Sequence, residues 1–110
     1  MSINIIIEDK VTFKVAGTFN TASGTTKPFD FKLTCERLDT EEIEDRIKDT
    51  DTSVIDFMVA VVQDWSGVRG PDDTALTYSP DAYRKLCKIP GVGRAAYIAY
   101  LSEVGAKVKN

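Results

Sequence analysis

"KIPGVGRAAYIAY", residues 88–100, sets a Pro-Gly-hydrophobic-Gly turn between two apolar helical runs. A turn of this kind either cradles a phosphate with backbone N–H groups at a helix N-terminus or stops one helix and starts the next. The rest of the chain decides between the two.

At 110 residues, 43% hydrophobic and 28% charged, the chain fits one compact domain, residues 1–110, able to bury an ordinary core. Its 14 Lys and Arg stand against 17 Asp and Glu, so the whole molecule offers no positive field to nucleic acid or an anionic membrane. Charge is unevenly spread: residues 36–51 hold eight acidic and three basic side chains, whereas residues 84–109 hold six basic and one acidic. Such asymmetry either guides head-to-tail association of copies or docking to a charged partner, or marks solvated faces. Two cysteines, Cys35 and Cys87, build neither a disulfide framework nor a four-thiolate metal site. A reduced intracellular setting is expected, since the N-terminus lacks a basic region and its apolar run is too short for a signal peptide. No stretch reaches the roughly 18 apolar residues of a membrane span.

The first 38 residues read as β. Ile3, Ile5 and Ile7 alternate with their neighbours, as do Val11, Phe13 and Val15, with a turn at Glu8-Asp9-Lys10. Gly17 to Lys27 reads as a polar loop or wide hairpin connection, and Phe29, Phe31, Leu33 and Cys35 alternate in a third strand. Three antiparallel strands with one apolar face need a cover, and residues 39–110 supply it as about four helices. Asp39 and Glu42 form a capping box ahead of Ile43 and Ile47. Asp49 to Thr52 offers a break before an almost wholly apolar helix over 53–65, although a single helix over 40–65 also fits the 3.6-residue stripe. Ser79-Pro80 starts a short helix that Pro90-Gly91 ends, and Val92 to Ala106 forms the last, with Tyr97, Tyr100, Leu101 and Val104 on one face. The fold expected is α+β: an antiparallel sheet followed by a helical bundle.

Catalytic signatures are missing. The chain has no histidine, the usual general base and commonest metal ligand. Asp49-x-Asp51-x-Ser53 opens like a calcium loop but carries Val54 in place of glycine and Ala60 in place of the bidentate Glu. Cys87 lacks an evident base and reads as a small core residue. The expectation is a protein that is not an enzyme and uses no cofactor or metal.

Leu86, Ile89, Pro90, Gly91, Val92 and Gly93 resemble a helix-hairpin-helix DNA-binding turn, with Arg84, Lys85, Lys88 and Arg94 as phosphate partners. Two features depart from it: Tyr97 stands where close helix crossing wants a small residue, and the protein as a whole is acidic. Nucleic acid is therefore not the expected partner.

Residues 57–101 carry a longer resemblance. Phe57, Met58, Val61 and Val62 lead to Trp65-Ser66-Gly67-Val68; then come Asp72-Asp73, Tyr78-Ser79-Pro80-Asp81, Ile89-Pro90-Gly91-Val92, and Ala95, Ile98 and Tyr100. This order resembles the tail assembly chaperones of long-tailed bacteriophages, with their "W-x-G-V", their polar helix start and their "I-P-G-V" turn. The resemblance implies a non-catalytic protein that binds the largely helical tape measure protein, keeps it soluble and helps recruit tail tube subunits. It further implies action in the host cytoplasm, absence from the mature virion, and in many cases a frameshifted longer form. A chaperone of this kind offers apolar surface covered by self-association until needed, so a homo-oligomer is expected. Trp65, Val68, Tyr78, Tyr83, Tyr97 and Tyr100 are the partner-binding candidates, the aromatics being apolar in body and polar at the tip. A tail structural or completion subunit retained in the particle is the other phage reading.

Overall fold

A computed structural model describes residues 2–3 and 8–105. Most of the strand expected over Ile3 to Ile7, and Ala106 of the last helix, lie outside these residues. The described chain runs β1 (Lys10–Asn20), β2 (Thr26–Glu36), α1 (Thr40–Lys48), α2 (Val54–Val61), β3 (Val62–Ser66), α3 (Pro80–Leu86) and α4 (Val92–Glu103). It is an α+β architecture with one three-stranded antiparallel sheet, in the order β1-β2-β3.

The alternation of Val11, Phe13 and Val15 with polar neighbours makes β1 a one-sided strand, and Phe31, Leu33 and Cys35 do the same for β2. The hairpin is longer than its polar middle suggested. Pairing continues through Gly17↔Phe29 to Asn20↔Thr26, leaving only residues 21–25 as the turn. Hydroxyls close that turn, Thr21 Oγ1 lying 2.8 Å from Thr25 Oγ1 and 3.0 Å from Ser23 Oγ. Pro28 sits inside β2 for a geometric reason. Arg37 donates its N–H to Asp9 O at 2.8 Å, so in the shared register the odd residues of β2 bond toward β1 and the even ones away from it. The missing donor of Pro28 thus faces the outer edge, beyond β3, which pairs only with Lys32 to Cys35.

The helix expected over residues 53–65 ends at Val61, and residues 62–66 are the third strand. Local propensity is ambiguous there, because Val61 and Val62 are β-branched and no Gly or Pro marks a boundary. The open edge of β2 decides it. Cys35 pairs with Val62 and Thr34 with Asp64, so Gln63 is an extra residue in a β-bulge. The bulge lets Val62 and Trp65, three apart, both face the core. The nearly all-apolar character of 53–65 is thereby explained: seven of its nine apolar residues belong to α2, and the other two, Val62 and Trp65, face the core from β3.

Residues 40–65 form two helices. Asp39 caps α1 reciprocally with Glu42, the two backbone-to-carboxylate bonds both measuring 2.9 Å. The break follows from Asp49, whose Oδ1 accepts from the N–H of Asp51 at 2.8 Å and of Thr52 at 3.2 Å. Ser53 then caps α2, and Ser79 with Pro80 starts α3 as expected. The helices do not stand apart from the sheet. α4 lies along β1, and α2 packs against both α3 and α4. One core joins the layers, with Leu33 and Cys35 below and Met58, Tyr83, Ala96 and Tyr100 above. β3 falls within the expected helical part, residues 39–110.

Candidate functional site

The segment at residues 87–93 has a structural use for each of its two glycines. Gly91 caps α4 at φ +91°, a left-handed conformation that side chains rarely adopt. Gly93 is buried, and a Cβ there would stand 3.3 Å from Cys87 Sγ and 3.7 Å from Ile55. α3 ends at Leu86, earlier than Pro90, with the intervening residues in turns. Both α3 and α4 lean on α2, so they do not form a self-contained helical hairpin. Arg84, one of the four cations beside the turn, is held by Asp56 at 2.8 Å. Its N–H groups hold the Asp56 carboxyl below the usual carboxylate range.

Beside this turn lies an apolar groove of about 140 Å³, lined by Phe19, Phe29, Phe31, Val68, Ile89 and Val92. Each wall has a local cause. The far end of the hairpin extends past the reach of β3, so Phe19 and Phe29 are only half-buried, and their rings form a row with Phe31 at centroid spacings of 6.3 and 6.2 Å. Val68 follows β3 and is pinned from behind by a folded-back loop, where Leu76 N–H donates to Val68 O at 3.0 Å. Ile89 and Val92 come from the turn itself, whose Val92 N–H donates to Ile89 O at 3.2 Å. Three segments that are separate in sequence, "FN" at 19–20, "SGV" at 66–68 and "IPGV" at 89–92, therefore share one surface. Asp30 and Arg69 are its charged lining residues, each paired elsewhere, Asp30 with Lys14 at 3.5 Å and Arg69 with Asp73 at 3.8 Å.

Of the six residues singled out from sequence, Val68 lines this groove directly. Trp65 lies behind it in the core, donating Nε1–H to Leu76 O at 2.8 Å. Tyr78 packs edge-on against Trp65 at 5.1 Å and donates its hydroxyl to Val62 O at 3.3 Å. Burial pushes the Tyr78 hydroxyl above its usual pKa. Tyr83 and Tyr100 are both fully buried. Tyr100 donates to Glu36 O at 2.7 Å, tying α4 to the end of β2, and burial raises its pKa to about 12. Among the described residues Tyr83 Oη has no well-formed hydrogen bond, the Cys87 thiol lying beside it, and burial first, then that thiol, raises its pKa. Tyr97 is away from the groove, where its hydroxyl accepts from Arg46 Nε at 3.3 Å. Trp65, Val68 and Tyr78 are thus brought together, while Tyr83, Tyr97 and Tyr100 are built into the packing of the helices. Phe19 and Phe29 were not among the sequence candidates. The available signal was a large aromatic, Phe19, standing in an otherwise polar Gly-Thr-Ser-Asn stretch.

A second, wider cleft of about 650 Å³ opens at the opposite end of the sheet, between α1 and the end of α4. Leu38, Ile43, Ile47 and Val104 give it an apolar floor. Among the described residues no group of three or more His, Cys, Asp or Glu side chains is placed to hold a metal ion. Cys35 is buried, its thiol pushed up to about 12, and burial raises Cys87 as well. No described helix is long and apolar enough to cross a membrane.

The class this geometry defines is an α+β domain with a half-open apolar groove at its hairpin end. No protein family matches the chain, and neither a curated protein nor a solved structure matches it.

Proposed function

We propose that this protein is a tail assembly chaperone of a long-tailed bacteriophage or prophage, binding apolar segments of the tape measure protein before and during tail polymerisation. The observation that carries the reading is convergence. The "W-x-G-V" and "I-P-G-V" segments, 20 residues apart and the basis of the resemblance, meet with the hairpin aromatics Phe19 and Phe29 around one groove. A half-exposed aromatic and aliphatic surface suits the apolar stripe of an amphipathic helix, which would otherwise aggregate. Recruitment of tail tube subunits, action in the host cytoplasm and absence from the virion belong to the same proposal. The nucleic-acid alternative draws no support from the turn, whose glycines serve helix capping and close packing and whose Arg84 is engaged by Asp56.

The test is co-expression of the tagged protein with the tape measure protein encoded nearby. The proposal expects the tape measure protein to become soluble and to elute with the chaperone, with no retention of the chaperone alone on duplex DNA at physiological salt. Tape measure protein that stays insoluble, or a chain that binds DNA tightly, refutes it. Peptides of this protein in purified virions, found by mass spectrometry, instead favour a structural subunit.

A further inference from the structure

We propose that the groove takes its partner as an extended segment, which adds to the free outer edge of β2 over residues 26–30 and sends alternate side chains to the two faces of the sheet. The inference rests on the groove being the partner surface and names the form in which the partner is held. Even-numbered residues of β2 point their backbone groups away from β1, and β3 meets them only from Lys32 onward. At Gly67, φ +86°, the chain leaves the sheet, and its next residues bond among themselves, Leu76 N–H to Val68 O and Arg69 opposite Ala75. Thr26, Pro28 and Asp30 are exposed. The N–H groups of Thr26 and Asp30 and the carbonyls of all three have no hydrogen-bond partner among the described residues, along about 14 Å of edge.

Two cavities flank this edge. The apolar groove opens on the face that carries Phe19, Phe29 and Phe31, odd-numbered residues turned toward the core. A cleft of about 320 Å³ opens on the opposite face, beside exposed Lys14, Asp30 and Lys32. Asp30, Phe31 and Gly67 belong to both, so the cavities meet where β3 departs. A helix seated in the groove fills one cavity and leaves the edge unpaired. A strand beside β2 fills both, because its successive side chains point to opposite faces and its backbone meets the free N–H and C=O groups. Charge and polarity select those side chains. The groove takes an apolar one. The cleft holds two ammonium groups and one carboxylate; Asp30 lies 3.5 Å from Lys14, and among the described residues Lys32 is in no ion pair, so an acidic side chain fits there. The occupant is therefore a short extended segment of the partner polypeptide in which an apolar residue adjoins an aspartate or glutamate.

Amide hydrogen exchange of the full chain, with and without the tape measure protein, quenched and read residue by residue by NMR, tests it. In the complex the N–H groups of Thr26 and Asp30 should exchange at least about tenfold more slowly than in the protein alone. Asp30→Pro removes the edge donor but no β1–β2 bond, as Pro28 already does, and should weaken capture of the tape measure protein at least about tenfold. Asp30→Ala keeps the N–H and should not weaken it. Both variants are checked for folding by Trp65 emission. A complex in which both amides exchange as in the free protein, or an Asp30→Pro variant that captures as well as wild type, overturns the extended form while the chaperone reading stands. Absence of any complex overturns the chaperone reading, and this inference with it. Amides that become protected in the protein alone as its concentration rises would assign the edge to a second copy and overturn the inference.

Discussion

Replacing Arg46 with alanine should cost this protein about 3 kcal/mol. Among the described residues Arg46 is the one buried charged side chain, and its guanidinium lies over two rings, 4.8 Å from the centroid of Phe57 and 5.2 Å from that of Tyr97. Each desolvated cation–ring contact contributes about 1 kcal/mol. Its Nη1 donates to Thr52 O at 2.8 Å, across the break between α1 and α2, a charge-assisted bond of about 1.5 kcal/mol. The 3.3 Å bond to Tyr97 and the 3.9 Å approach of Asp49 add little. Loss of the packed stem adds to the cost, whereas Thr52, being exposed, recovers water at its carbonyl. For 110 residues the unfolding entropy is about 0.23 kcal/mol per kelvin, so 3 kcal/mol lowers Tm by about 13 °C. Arg46→Lys keeps charge and stem but not the planar fork, and should lose about half as much. Urea titration followed by the emission of Trp65, the only tryptophan, measures both. An alanine variant within about 1 kcal/mol of wild type, or a lysine variant equal to wild type, refutes this account of how α1 is held.

Tyr83→Phe should raise stability by up to about 1 kcal/mol in the same titration, because among the described residues its fully buried hydroxyl has only the weakly bonding Cys87 thiol beside it; a loss would mean that the hydroxyl is satisfied. Asp73→Gly should add about 0.5 kcal/mol, since Asp73 holds φ +61° in an exposed turn; no change in the urea midpoint would show that the aspartate turn is unstrained. Hydrogen bonds hold the carboxyls of Asp49, Asp56 and Asp72 below their ordinary 3.8, so their contribution is present above that value and lost as pH falls through the folded-state values. At the other extreme, burial raises Cys35 from 9.0 and Tyr100 from 10.0, each to about 12, so the unfolded chain ionises first and stability declines as pH rises from about 9 toward 12. A urea midpoint flat across both windows contradicts these assignments.

The hairpin was legible because one-sided burial writes itself as alternation: every second residue from Val11 to Val15 and from Phe31 to Cys35 is buried. The caps at Asp39 and Ser79 were equally visible, since each acts within three residues of its own position, whereas the cap of α2 falls on Ser53, one residue beyond the break expected over Asp49 to Thr52. What sequence hid was non-local. Val62 to Ser66 becomes a strand only because the edge of β2 is open beside it, and the bulge at Gln63 removes the alternation that would have betrayed it. Arg46 sits in an acid-rich helix, where a cation looks solvated; its burial depends on Phe57 and Tyr97, 11 and 51 residues away. The aromatic candidates were divided by position in the fold. Nothing local separates core Tyr100 from part-exposed Tyr97, since the helix places them three residues apart on adjoining faces. Phe19 was hidden by its polar company, although Phe29, on the facing strand of the hairpin, alternates with Phe31 and Leu33 as a strand residue does.

The central claim is that the groove beside Ile89 is the surface that holds the tape measure protein. Phe19→Glu tests it most directly, because this half-buried ring lies at the groove on the hairpin end and pairs with Phe29. With the variant's fold verified by Trp65 emission and its urea midpoint, co-expression with the tape measure protein is repeated and the soluble complex quantified. The account predicts that the tape measure protein returns to the insoluble fraction while the variant remains folded and soluble. Undiminished recovery of the complex with a glutamate in the groove would contradict it.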